Sequence, residues 1–423
     1  MPGMGALGTP NAGEFYLYLV LELLIVACLV WLGISRRVGR PPASATGRLQ
    51  PAGRTQGRLI LRRGLGALWI IDGLLQAQPA MPTRFATSVL GPAALGQPGW
   101  IAHLIRLEVL VWQAHPLDLA AAAVLVQVGM GVAILAGGDS QLGRLALWTS
   151  IAWSLLIWVG AEGLGGILAP HASEITGAPG AVLLYGAGAA LLLAPVRLWS
   201  SDLLPRLTRR GVGVLLLLGA LLQALPGEGF WSGSVLAGSF SAMAQMAGPG
   251  WLAGPIAAVA RIGTGQALLM NATLVGVMAV LGAGLLSGRG WRIWSGAALV
   301  WLAATWWLGQ DLGGLGTGTA TDPNLSPLVG LVLVSAWVAS SARWAELGQP
   351  TRQRLSAAVR QRLALGGVAA LLVGSVPAAL GLPIALLEAP NASAATTAAV
   401  QAGVSELPPA LPAPASSAAG RGA

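Results

Sequence analysis

Residues 15–34 read FYLYLVLELLIVACLVWLGI, twenty residues with a single charged side chain, Glu22. A run of roughly 20 apolar residues is the length that crosses a bilayer as a helix. Inside hydrocarbon every backbone N–H and C=O must be satisfied within the chain, so such a run folds as a helix or not at all. The run does not stand alone. Further apolar stretches cover 64–78, 117–137, 145–163, 181–198, 211–225, 268–286, 293–309, 327–341 and 363–387. Composition agrees, with 55% hydrophobic and only 9% charged residues in a chain of 423. A soluble domain carries about a quarter charged residues. The first run is not a signal peptide in pattern, because only Glu14 stands close before it and the arginines follow it. It reads as a retained helix.

The formal net charge is +9, and the basic residues are all arginine. They fall in short connections between apolar runs, which is the pattern of orientation signals rather than of nucleic-acid binding. With those connections on the cytoplasmic side, the chain has about ten transmembrane helices and both termini outside. The lipid bilayer is then its first partner, and no nucleic-acid partner is expected. Arginine without lysine, with 60 glycines, suits a GC-rich bacterial genome and hence a bacterial plasma membrane. The segment 100–115, with tryptophan near both ends, is expected to lie on the membrane surface. The Ala/Pro-rich tail 389–423 is expected to be disordered. The single Cys28 excludes an intrachain disulfide and any cysteine-built metal site.

The chain repeats itself. RRGLGALWIIDGLLQAQP at 62–79 aligns with RRGVGVLLLLGALLQALP at 209–226. QPGW at 97–100 aligns with GPGW at 248–251. VGAEGLGG at 159–166 aligns, with one gap, with LGQDLGG at 308–314. Residues 173–188 lie over 321–336 in the same order. The matched residues are mostly Arg, Pro, Gly and Trp of the connections, which apolar low complexity does not produce. Each copy holds four spans, so both enter the membrane from the same side, as parallel repeats do. The expected fold is an all-α polytopic membrane protein of two parallel four-helix repeats with one extra helix at each end. Its parts are 1–63, 64–200, 201–349, 350–388 and 389–423.

One repeat resembles the DoxX/DoxD group of small four-helix membrane proteins. The resemblance is carried by LRRGLGALWIIDGLLQ, the outer connection after it, and VLVQVGMGVAILAGGDSQLGRLAL with its Gly and Arg turn. It covers residues 61–198 and, more weakly, 207–341. It implies a subunit of a membrane redox system, with a quinone and a redox partner protein as partners.

The two copies differ in their ionisable residues. His103, His115 and His171 all belong to the first copy, with Asp72, Arg84, Arg106, Glu108, Asp118, Glu162 and Glu174. In the second copy Asp72 becomes Gly219, His103 becomes Gly254, Arg106 becomes Ala257, Glu108 becomes Val259 and Asp118 becomes Leu269. Asp311 and Asp322 stand for Glu162 and Glu174. An ionisable group in a membrane span is costly and therefore a functional candidate. The expected cofactor or ligand site is Asp72, His103, Arg106, Glu108, Asp118 and Glu162, on the outer face of the first repeat. Asp72 can equally pair with Arg84 or Arg106. Glu162 can simply accept backbone N–H groups beside its Gly-Gly turn. The histidine spacing fits no compact metal motif, so no metal is assigned, and the cofactor is unknown. No Walker, Rossmann or HExxH pattern is present. Three functions remain: a quinone-linked redox subunit, a small-solute or ion transporter, and a scaffold without its own chemistry. Transport is disfavoured at this point by the lack of helices broken by Pro or Gly at corresponding positions. The tryptophans at membrane edges are anchors, and those of the 148–158 and 301–307 stretches are packing residues before they are ligands.

Overall fold

The computed structural model describes residues 13–17, 19–21, 52–247 and 250–345. Among these all regular structure is helical. The main helices are α1 (Ala52–Gln76), α2 (Gly99–Ala114), α3 (Pro116–Gly137), α4 (Gln141–Gly160) and α5 (Ala181–Leu193). They are followed by α6 (Leu203–Ala224), α7 (Gly233–Met246), α8 (Gly250–Ser287), α9 (Trp291–Leu308) and α10 (Leu325–Ala345). Helices lie over eight of the ten expected segments. Of the other two, 363–387 lies outside the described residues, as do the tail and most of 15–34. Among the described residues four helices are long and apolar enough to cross a membrane: α3, α4, α6 and α8. Ala181–Leu193 and Leu325–Ser341 are apolar but shorter.

Two basic stretches read as connections are helix instead. α1 starts at Ala52 and α6 at Leu203, well before the apolar runs begin. Long arginine stems pack along a helix while their heads find polar partners. Arg58 grips Asp139 with both nitrogens, at 2.9 and 2.7 Å, and also reaches Leu192 O at 3.0 Å. Arg62 binds the same carboxylate. These bonds, Arg58 first, hold Asp139 well below the ordinary carboxylate pKa although partial burial opposes them. One acid therefore ties the start of α1 to the α3–α4 turn.

Several local features occur twice. α1 crosses α3 at Gly66 and Gly131, where a Cβ on Gly131 would lie 2.5 Å from Gly66 O. α6 crosses α8 at Gly213 and Gly282, where a Cβ on Gly282 would lie 2.7 Å from Gly213 O. In both crossings backbone touches backbone, which only glycine permits. The chain also breaks twice in one way. His115 (φ −137°, ψ 55°) separates α2 from α3, and Gln266 (φ −135°, ψ 40°) interrupts α8. Trp158 Nε1 donates to Pro179 O at 2.7 Å, and Trp306 Nε1 donates to Pro323 O at 2.7 Å.

The apolar core follows the helices. One cluster joins Leu61, Leu65, Trp69, Met130, Leu147 and Tyr185 of the first half to Leu328 and Val332 of α10. Another joins Leu216, Leu281, Leu302 and Val329, with Leu184 of α5 packed on it. α5 and α10 each contribute to both halves and form the junction between them. The segment 13–21 packs Phe15 and Leu19 against Met81, Phe85 and Trp112.

Candidate functional site

The site is built where two loops change sides. The first half's loop after α4 carries Ile175 into the apolar cluster of Ala220, Phe230, Leu236 and Met278 in the second half. The second half's loop after α9 carries Ala320 and Leu315 onto Ile71 and Leu75 of α1. Each loop therefore covers the other half. The first loop is pinned by Glu228, whose Oε2 accepts from Ala172 N at 2.8 Å and whose backbone O is 2.7 Å from His171 Nδ1. Ser173 Oγ donates to Gln223 Oε1 at 2.7 Å, and Gln223 Nε2 to Asn271 Oδ1 at 2.9 Å.

The exchange brings carboxyl groups together. Asp72 of α1 is 2% exposed. The Asp322 carboxylate of the crossing loop and Glu162 act on it electrostatically, and the Tyr185 phenol of α5 lies close enough to interact with it. Neither Asp72 Oδ1 nor the phenol oxygen has a partner in good hydrogen-bond geometry, and both are buried. Asp322 accepts from Asn324 N at 2.7 Å and from Thr321 Oγ1 at 2.9 Å. Burial raises its pKa, and those two bonds offset part of the rise. Glu162 Oε1 accepts from Val182 N at 3.2 Å, while Oε2 has no partner. Burial, then the nearby Asp322 carboxylate, pushes Glu162 up to about 8. Among the described residues, no ion pair includes Asp72, Glu162 or Asp322. A cavity of about 350 Å³ opens beside them, with Glu162, His171, Ser173, Thr176, Asp322 and Asn324 in its wall. That is within the size of small-ligand sites.

Glycine makes room at two places. A Cβ on Gly180 would lie 2.1 Å from Glu162 Oε2, so only glycine lets the carboxyl lie against the start of α5. A Cβ on Gly219 would lie 2.7 Å from Glu174 Cβ. Gly219 is the position aligned with Asp72. The second half lacks the acid on its own helix and receives Glu174 from the first half's loop instead. Glu174 is 1% exposed, neither oxygen has a partner in good hydrogen-bond geometry, and burial, only partly offset by the nearby Trp301, pushes it up to about 7.

Gln310, not Asp311, does the work of Glu162 in the second half. Gln310 Oε1 accepts from Ser326 N at 3.1 Å, next to the start of α10, as Glu162 does at α5. The alignment EGLGG over QDLGG, without a gap, places them together. Glu162 is thus in part an acceptor for the start of a helix twenty residues on, rather than for the N–H groups of its own Gly-Gly turn.

The six expected site residues part company. Asp72 and Glu162 meet. His103 and Arg106 are exposed on α2. Glu108 lies against Gly160 at the end of α4. Asp118 is exposed and 3.6 Å from His115 in an i, i+3 pair. Tyr185 and the crossing of Asp322 toward Asp72 were not foreseen. The loss of the side chain at Gly219 was the one sequence signal of a vacancy to be filled. Among the described residues no group of three His, Cys, Asp or Glu gathers as a metal site. No family model, no curated protein and no solved structure matches this chain.

Proposed function

We propose that this chain is an integral membrane protein of two parallel DoxX-like four-helix units with a further crossing at each end, ten in all. Its working site is the cavity between the exchanged loops, on the outer side of the membrane. The repeat is supported by the paired glycine crossings, the paired breaks at His115 and Gln266, and the paired Trp-to-Pro bonds. The site takes up and releases protons together with a small cation or cationic solute. One observation carries this reading. Carboxyls from both halves, Glu162 from one and Asp322 from the other, line one cavity with the buried Asp72 in electrostatic reach, and among the described residues no cation pairs with them. Buried acids in that state hold protons or cations, because an unpaired buried anion is too costly to keep. Parallel repeats commonly place a substrate site at their interface, so transport of that cation or solute is the first reading.

The quinone-linked role that the resemblance implies is the second. It is favoured by the cavity's volume and by Glu162, whose pKa of about 8 lets it hold a proton at neutral pH and pass it on. Proteoliposomes decide between them. A pH step across the membrane is expected to drive a charge movement that Asp72→Asn abolishes and Arg84→Gln leaves unchanged. Equal signals from wild type and Asp72→Asn overturn the proton-linked site. A stoichiometric flavin- or haem-carrying partner on gentle purification, with no charge movement, selects the redox role.

A further inference from the structure

At the opposite, basic end of the bundle the two halves handle their arginines differently. In the first half Arg58 and Arg62 share the Asp139 carboxylate. Arg209 is the residue aligned with Arg62. The second half's α8–α9 turn, residues 288–290, is Gly-Arg-Gly and carries no acid. Arg209, 6% exposed, donates through Nη1 to the Ser340 hydroxyl, which donates to Asp202 Oδ1 at 2.7 Å. Asp202 also serves Arg206 at 3.7 Å. The Arg209 guanidinium lies over the Trp291 ring at 4.4 Å, and Arg292 lies 5.4 Å from the same ring. Arg206 and Arg210 both act electrostatically on Arg209. Two guanidiniums thus lie against one indole with two more near Arg209, and among the described residues Asp202 is the carboxylate that serves them. Arg206, Arg210 and Arg292 are exposed. Exposed apolar side chains flank the group, with Leu207 at 51% and Ile293 at 75% exposure.

We propose that Arg209, Arg292 and Trp291, with Arg206 and Arg210 beside them, seat the phosphate of an anionic phospholipid whose acyl chains run along Leu207 and Ile293. Guanidinium forks match phosphate oxygens in number and plane. The missing acid of the α8–α9 turn leaves charge that the lipid supplies. Exposed apolar surface beside the arginines favours a lipid over free phosphate, since only a lipid covers both. The seat is independent of the carboxyl site at the other end.

The test uses the full chain in phosphatidylcholine nanodiscs, titrated with phosphatidylglycerol and read by native mass spectrometry. Wild type is expected to retain phosphatidylglycerol over phosphatidylcholine. Each arginine near a membrane surface is worth roughly fivefold, so the Arg210→Gln, Arg292→Gln pair is expected to weaken retention by about 25-fold. Both residues are exposed, so the pair keeps the fold. Arg144→Gln removes one arginine charge from the first half and is expected to leave retention unchanged. Equal retention by the double variant, or an equal loss in Arg144→Gln, overturns the seat. Displacement of the lipid by inorganic phosphate at matched concentration overturns the lipid assignment.

Discussion

Glu174→Gln is the sharpest probe of the loop exchange. Glu174 leaves its own half, enters the room left by Gly219, and faces Gly219 on α6, Met278 on α8 and Trp301 on α9, none of them charged. Its carboxyl is pushed from an ordinary 4.5 to about 7 by burial. The folded state therefore holds the proton more tightly than the unfolded chain. Stability from this group is complete below pH 4.5 and is lost as the pH rises to about 7. The loss runs at about 1.4 kcal/mol per pH unit and levels off at about 3 kcal/mol. Glutamine mimics the protonated acid and cannot ionise, so the variant lacks this slope. The assay is reversible unfolding in mixed micelles from pH 4.5 to 8.5, wild type beside Glu174→Gln. Glu162, Asp311 and Asp322 titrate in both proteins and cancel in the difference. The variant should gain about 3 kcal/mol relative to wild type across that range. Parallel curves would refute the buried placement of Glu174 and, with it, the exchange.

Other outcomes follow from the same geometry. Below pH 4.5, where the wild-type carboxyl is protonated whether folded or unfolded, Glu162→Gln should change stability by less than about 1 kcal/mol, because Gln310 already makes the equivalent bond as an amide; thermal denaturation checks it. Gly131→Ala and Gly282→Ala should each cost about 1–3 kcal/mol, since the added Cβ meets a facing carbonyl. The two losses should be similar if the crossings are equivalent. Asp139→Asn should destabilise the protein at neutral pH. Because the folded acid titrates lower than the unfolded one, that deficit should shrink as the pH falls below 3.8.

The helices were legible in the sequence because apolar length and arginine spacing are local signals. Their starts were not, since Arg58 and Arg62 become helical only through Asp139, some eighty residues away. The doubled glycine crossings fall at Gly66 and Gly213, which the alignment of 62–79 with 209–226 already pairs. The register at Glu162 was set one residue off, because Asp311 matched in charge while Gln310 matches in hydrogen bonding. Of the candidate site, Asp72 was marked in the sequence as an acid in an apolar helix, and it is buried. The partners were hidden because Asp322 arrives from the other half and Tyr185 sits in a helix that reads as apolar throughout. His103, Arg106 and Asp118 were grouped with Asp72 by their absence from the second copy. Surface position explains that pattern equally well, and the structure leaves all three exposed.

The central claim is that carboxyls from the two halves meet at one proton-exchanging site. Infrared difference spectroscopy of the protein in membranes, titrated from pH 5 to 9.5, reads it through the protonated-carboxyl stretch. A band titrating near pH 8 should vanish in Glu162→Gln. In Asp322→Asn it should move to lower pH, because a charge from the other half has been removed. A band insensitive to Glu162→Gln, or unmoved by Asp322→Asn, would contradict the meeting of the two halves at this site.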